Sequence, residues 1–238
     1  MLENIDINFN FYSDAGGKDP DKYSPTLRKY HKLLWSKKLP NGNNFILDDS
    51  GSIDGKYLYY NDGVHEYFLS SDAIGHTYSR WKRTQSLMRE FPVEEINHFF
   101  DSLSNISSYI IFPSNRIDML PTINGERGIN SQICDRFDLT LECIRRYYLN
   151  EKSPLYATFQ RYANFFNLFV DFKGYCDFFF LQDFTNDRFT KVKFYLPFED
   201  FTFYPYPKTV EAYKVYKRNV LKTHELRKER IRDYINKG

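Results

Sequence analysis

The stretch "HEYFLSSDAIGHTYSRW", His65 to Trp81, decides the fold class, because the hydropathy changes period inside it. "EYFLS" reads as a short strand, whereas "SSDAIGHTYSRWKRTQSLMREF" moves to a helical period. Ser71 or Asp72 is the natural N-cap at that junction, since its side-chain oxygen can accept an otherwise unpaired first-turn N–H.

Upstream, "IDINFNFY" sets Ile5, Ile7, Phe9 and Phe11 against Asp6, Asn8 and Asn10, which predicts a half-buried first strand. "TLRKYHKLLW" reads as a short helix or strand, and "NFILD" and "KYLYY" as short strands set off by Asp-Gly and Asn-Asp-Gly turns. Downstream, Pro92 marks a junction, "VEEINHFFDSL" is helical, "YIIFP" is a buried strand and "INGERGIN" is a loop. "SQICDRFDLTLECIRRYY" is the clearest helix, with Ile133, Phe137, Leu141, Ile144 and Tyr148 on one face. "LYATFQRYANFFNLFVDF" reads as a second buried helix, and "GYCDFFFLQDF" and "VKFYLPF" as strands, the first apolar on both faces and so central. Helices and strands are intermixed without regular alternation, which predicts an α+β fold with a mixed or antiparallel central sheet, flanking buried helices and a basic C-terminal helix.

Aromatic residues make up 19% of the 238-residue chain, with 23 Phe and 20 Tyr, so the expected core is thick and Phe-rich with Tyr at its margins. Cys134, Cys143 and Cys176 form no Cys-x-x-Cys pair, and "MLENIDINFN" lacks the layout of a signal peptide, which points to a reducing, cytoplasmic setting. Nothing approaches the roughly 18 apolar residues of a membrane span. The net charge of +2 is uneven: from Lys208 onward six Lys and four Arg face four acids, leaving +6 on the tail and −4 on the rest. This divides the chain into an α+β domain, 1–207, and a basic helical extension, 208–238. Val210, Tyr213, Tyr216, Val220 and Leu221 predict that the first half of the extension docks on the body while residues 224–238 project more freely, available to nucleic acid or a protein partner.

Phosphate-loop, dinucleotide, zinc-protease and nucleophile-elbow signatures are absent, and the five His show no zinc spacing. Asp135, Asp138, Glu142, Arg145 and Arg146 form a polar stripe that could hold a divalent metal for nuclease chemistry. Glu142 also lies three and four residues before Arg145 and Arg146, the spacing of ordinary helix ion pairs, and "ERGINSQICDR" can supply a buried structural network. "LPNG" and "INGERG" could cradle an anion, or be turns.

Three segments together resemble the ADP-ribosyltransferase fold of the poly(ADP-ribose) polymerase and bacterial toxin kind. "KLLWSKK" is similar to its first segment, with Ser36 where the family has His; "EYFLSSDAIGHTY" to its second; and "CDFFFLQDF" to its third, with Asp177 where the family carries Glu. The matches cover some thirty residues. The resemblance implies NAD as substrate, a nicotinamide held between Tyr67 and Tyr78 and floored by Gly75, and a strand end shaped by Ser70 and Ser71. It also implies a transition state stabilised by Asp177, with Gln182 and Asp183 as weaker candidates, and Arg28, His31 or Lys37 near Ser36 as substitutes for the missing His. The whole chain also resembles a bacterial family of unknown function through "YSPTLRKYHKLLWSKKLPNG", "CDRFDLTLECIRRYY" and "GYCDFFFLQDF". The transferase resemblance thus implies transfer of ADP-ribose from NAD to a macromolecule, with nucleic acid as a candidate acceptor through the basic tail, in a toxin or phage-defence setting. The alternatives are a non-enzymatic nucleic-acid or protein binding module and a metal-dependent nuclease.

Overall fold

A computed structural model describes residues 5–45, 47–48, 58–61, 64–202 and 204–237. The expected Asp-Gly turn at 54–55 and most of the Asn-Asp-Gly turn at 61–63 lie outside the described residues. The chain opens with three helices, α1 (Phe11–Asp14), α2 (Pro20–Tyr23) and α3 (Pro25–Trp35), each started by a polar cap, Asn10, Asp19 and Ser24. Residues 5–10 form no strand, although Ile5, Ile7 and Phe9 are buried and Asp6 and Asn8 exposed as expected. The period of two is real in burial, but no neighbouring strand supplies a ladder.

β1 (Leu47–Asp48), β2 (Tyr59–Asn61), β3 (Glu66–Ala73) and, after α4 (Gln85–Met88) and α5 (Val93–Ser102), β4 (Tyr109–Pro113) form one antiparallel sheet in sequential order. β3 is central. Its first half pairs with β2, Tyr60 opposite Tyr67, and its second half with β4, Ser71 opposite Ile111 and Asp72 opposite Ile110. That pairing corrects the expected helix junction: Ser71 and Asp72 are strand residues, not N-caps, because β3 continues in register with β4 through both of them. Regular helix resumes only at α4.

The second half of the chain is helical. α6 (Ile123–Ile129) replaces the expected "INGERGIN" loop, started by Thr122, whose Oγ1 accepts the Gly125 N–H at 3.2 Å. α7 (Phe137–Tyr148) forms the later part of the expected "SQICDRFDLTLECIRRYY" helix, with residues 137–144 all buried, while residues 131–135 form turns in which Cys134 and Asp135 are left-handed. The expected second helix is broken at Tyr162 into α8 (Tyr156–Arg161) and α9 (Ala163–Asn167). α10 (Phe172–Phe178) corrects the "GYCDFFFLQDF" strand, since a short run apolar on both sides fits a buried helix as well as a buried strand. Asp171 settles the choice locally by accepting the Gly174 N–H at 2.7 Å. "VKFYLPF" contributes only an isolated bridge, Val192 to Thr185, and the Tyr195 N–H goes to Asp138 Oδ2 at 2.7 Å instead of to a strand.

α11 (Val210–Lys237) closes the fold, burying Tyr213, Tyr216, Val220, His224, Arg227 and Ile231 as one stripe along its length. Residues 224–237 therefore do not project freely. Tyr30, Tyr78, Tyr175, Tyr195, Tyr213 and Tyr216 are all at most 1% exposed, so tyrosine fills the core as well as its margins. Arg227 is fully buried and donates only to main-chain carbonyls: Nη1 to Ser107 at 2.7 Å and Tyr109 at 2.8 Å, Nε and Nη2 to Phe179 at 3.2 and 3.0 Å. It ties α11 to the start of β4 and to the C-terminal end of α10, where the helix dipole favours a cation.

Arg227→Met should strand three buried acceptors, each costing about 1–3 kcal/mol when left unpaired. Urea unfolding is expected to show a loss of about 3 kcal/mol or more, and deletion of residues 224–238 to abolish the cooperative transition.

Candidate functional site

Successive residues of β3 point to opposite faces, so Ser71 and Asp72 build two different polar sites. On one face Ser71 Oγ lies 3.1 Å from His31 Nε2 on α3. β2 has ended by this point along β3, and Asp21 of α2 takes its place, accepting the Ser71 N–H at 2.8 Å through Oδ2. Burial, opposed by hydrogen bonds from Ser71, pushes the Asp21 carboxyl up to about 6. Burial pushes His31 down to about 3, which leaves it neutral and a weak base. A cleft of about 150 Å³ runs beside Asp21, Ser70 and Leu69.

On the other face Asp72 meets Arg127 of α6. Arg127 is fully buried and spreads its guanidinium over three partners: Nη1 to Asp72 Oδ2 at 2.8 Å, Nη2 beside Asp135 Oδ1 at 3.3 Å, and Nε to Thr140 Oγ1 at 3.0 Å. The side chains it holds are partly open to solvent, Asp72 at 32% and Asp135 at 21%, as is His76 at 26%. Burial outweighs the arginine, lifting Asp72 to about 6 and raising Asp135 as well. His76 Nδ1 accepts the Tyr78 N–H at 2.9 Å, so the neutral ring carries its proton on Nε2, 3.9 Å from Asp135 Oδ2. Burial, then the charge of Arg127, holds His76 down to about 4.

The backbone here is under strain. Tyr78, Cys134 and Asp135 adopt left-handed φ values of 59°, 48° and 57°, each costing about 1 kcal/mol or more for a residue with a side chain. Tertiary contacts hold them: the Tyr78 hydroxyl donates to the Cys134 carbonyl at 2.9 Å, Thr84 Oγ1 to the Tyr78 carbonyl at 2.6 Å, and Tyr213 and Tyr216 of α11 to the carbonyls of Thr77 and His76 at 2.9 Å each. In the sequence Arg127 and His76 carry no local signal of their own and Asp72 reads as a cap. The one usable signal was "ERGINSQICDR" as a buried network.

The residues selected by the transferase resemblance are dispersed. Tyr67 is buried against Tyr60 and Phe165, while Tyr78 is enclosed by His76, Trp81 and Tyr216, so neither ring presents an exposed face for a nicotinamide. The strand between them, from Tyr67 to Ala73, alone extends roughly 20 Å. Asp177 sits on α10, paired with Lys173 and accepting from Gln182 Nε2 at 2.9 Å. Ser36 ends α3 and donates to the Leu33 carbonyl at 2.7 Å, and Lys37 caps α10 by donating to the Phe178 carbonyl at 2.6 Å. Gly75 is a packing position, where a Cβ would meet Leu103 Cδ2 at 2.6 Å and His224 Cε1 at 3.0 Å. Ser70 Oγ donates to the Ser71 carbonyl at 3.3 Å, Asp183 pairs with Arg230, and Arg28 lines a basic cleft with Lys22, Lys29 and Lys32. Besides the neighbours Ser70 and Ser71, His31 meets Ser71, and Asp177 meets Gln182 and, through its carbonyl, Lys37 Nζ at 3.2 Å.

The polar stripe splits into separate networks, which removes it as one metal site. Asp135 belongs to Arg127, Asp138 is buried on Arg136, and Glu142 takes Arg145 and Arg146 at 2.8 Å, the expected helix-face pairing. Among the described residues no three His, Cys, Asp or Glu side chains are grouped to hold a metal ion. All three cysteines are free and buried, and no helix among the described residues is long and apolar enough to cross a membrane.

Two measurements check this account. Because the folded chain keeps a proton on Asp21 that the unfolded chain releases, stability should fall as pH rises from about 4 to about 6; Asp21→Asn should make that slope shallower in urea titrations across the window. Glu142→Gln should cost about 1 to 2 kcal/mol through its lost charge-assisted hydrogen bonds, with no new metal dependence in its melting curve.

No curated protein and no solved structure matches the chain, so the transferase resemblance rests on its short segments alone. The match that does hold runs over residues 5–231, and through it the chain belongs to a family of unknown function, DUF6994.

Proposed function

We propose that the protein is an acid–base enzyme, a hydrolase or group transferase, whose reactive centre is the Asp72–Asp135 pair on Arg127. One observation carries this reading: two partly open carboxylates, both raised by burial, share one buried arginine beside a strained backbone segment. Perturbed, solvent-reachable titratable groups with a fixed charge partner are what acid–base chemistry near neutral pH requires. Whichever carboxyl of the pair holds a proton delivers it to a leaving group, and the ionised one accepts a proton from the incoming nucleophile. Arg127 keeps the two in register, and His76 offers its Nε2–H to the same space.

Transfer of ADP-ribose from NAD belongs to this class of reaction, since breaking an N-glycosidic bond through an oxocarbenium-like centre calls for a nearby carboxylate. In that case Asp72 and Asp135 take the role first assigned to Asp177, whose oxygens are committed to Lys173 and Gln182.

The test is turnover of NAD and of chromogenic glycosides and esters by wild type, Asp72→Asn, Asp135→Asn and Asp177→Ala. Removing a general acid or base costs about 10²- to 10⁴-fold. The Asp72 and Asp135 variants are expected to lose at least 100-fold while keeping their near-ultraviolet circular dichroism, and Asp177→Ala to stay active. With Asp72 acting as the acid, the rate should fall as pH rises above about 6. Folded Asp72→Asn and Asp135→Asn proteins at full activity would remove the pair from the mechanism.

A further inference from the structure

Beside the acid–base centre lies a cleft of about 250 Å³ lined by Trp81, Lys82, Arg83, Asn130, Ser131 and Cys134. Two of its lining residues neighbour that centre. Cys134 precedes Asp135 in the chain, and the Trp81 ring stands edge-on to His76 at 5.5 Å and to Tyr78 at 5.2 Å.

The outer end carries the opposite charge. Lys82 and Arg83 are exposed, and among the described residues neither has a carboxylate partner. The aromatic rings continue outward: Trp81 approaches Tyr206 at 6.5 Å, and Tyr206 approaches the half-exposed Tyr204 at 6.4 Å. The Arg83 guanidinium lies 4.8 Å over the Tyr204 ring and Lys208 Nζ 5.6 Å over Tyr206. These cation–π contacts position Arg83 and Lys208 without neutralising them.

A ligand matching this cleft needs an anionic group for Lys82 and Arg83, a flat ring for the half-buried Trp81, and a neutral hydrogen-bonding part near Asp135. A carboxylate or phosphate buried against the Asp72–Asp135 end would be repelled, so the anion must sit outermost. The volume lies below the usual range for small-molecule pockets, so the cleft takes a single ring and leaves the charged group at its edge. We infer that the cleft binds a nucleoside monophosphate unit, its phosphate on Lys82 and Arg83, its base against Trp81 and its ribose directed toward Asp135. This names a substrate class for the proposed acid–base centre and rests on that reading for the chemistry, not for the binding.

Calorimetric titration with AMP, adenosine, inorganic phosphate and a short single-stranded oligonucleotide tests it. AMP is expected to bind saturably, more tightly than adenosine or phosphate, and more weakly as salt rises. Lys82→Ala and Arg83→Ala should each weaken AMP about tenfold, and Trp81→Phe less than that, with unchanged melting temperatures because the two cations are exposed. Asp72→Asn and Asp135→Asn should still bind AMP. Phosphate binding as well as AMP would overturn the nucleotide assignment in favour of a bare anion site. Oligonucleotide binding without AMP binding would overturn it in favour of a strand-tracking surface, and no binding of AMP at millimolar concentration would overturn it outright. AMP binding alongside fully active Asp72 and Asp135 variants would sink the catalytic reading alone; inactive Asp variants without AMP binding would sink only the present inference.

Discussion

The burial of Arg227 constrains the rest of the structure. A guanidinium out of reach of water must find acceptors for its N–H groups, and this one finds only backbone carbonyls, at Ser107, Tyr109 and Phe179. Those carbonyls belong to the entry of β4 and the exit of α10, elements far apart in sequence. Meeting one side chain's hydrogen bonds therefore fixes where the sheet, the α10 end and the C-terminal helix lie relative to one another.

The same docking reaches the candidate site. With α11 in place, Tyr213 and Tyr216 present their hydroxyls to Thr77 and His76 and hold the chain beyond β3 in the conformation that leaves Tyr78 left-handed. Tyr78 in turn reaches the Cys134 carbonyl, next to Asp135. A path of tyrosine hydroxyls thus connects the terminal helix to the carboxylate pair. Strain at three non-glycine positions persists because each is held by a hydrogen bond from another element.

Charge is distributed across β3 according to its pleat. One face carries Asp21, Ser71 and His31, a closed set in which the carboxylate stands in for a missing strand. The other carries Asp72, Arg127, Asp135 and His76, which reach solvent. A cationic cleft lies near each set, that of Trp81, Lys82 and Arg83 near the second and that of Lys22, Arg28, Lys29 and Lys32 on the helices that carry Asp21 and His31; what sets the Arg127 side apart is two partly open carboxylates on one buried arginine.

Local patterns were readable from the residues alone. The helical period of α7, the buried run of β4, the alternating burial of residues 5–9 and the Glu142 pairing with Arg145 and Arg146 all follow from spacing within one turn or one pleat. Failures occurred wherever a distant partner decided the outcome. Ser71 and Asp72 have the chemistry of a helix cap, yet pairing with β4 keeps both in a strand; "GYCDFFFLQDF" is apolar enough for a central strand, yet Asp171 and the available packing made it a helix. Residues 224–238 look like a solvated tail until Arg227 meets Ser107, 120 positions away. The candidate site was the least legible part, since Asp72 and Arg127 are 55 positions apart and neither has a local pattern that announces the other. Periodicity determines which side chains must leave water, whereas only tertiary packing decides which buried charges and hydrogen-bonding groups end up facing one another.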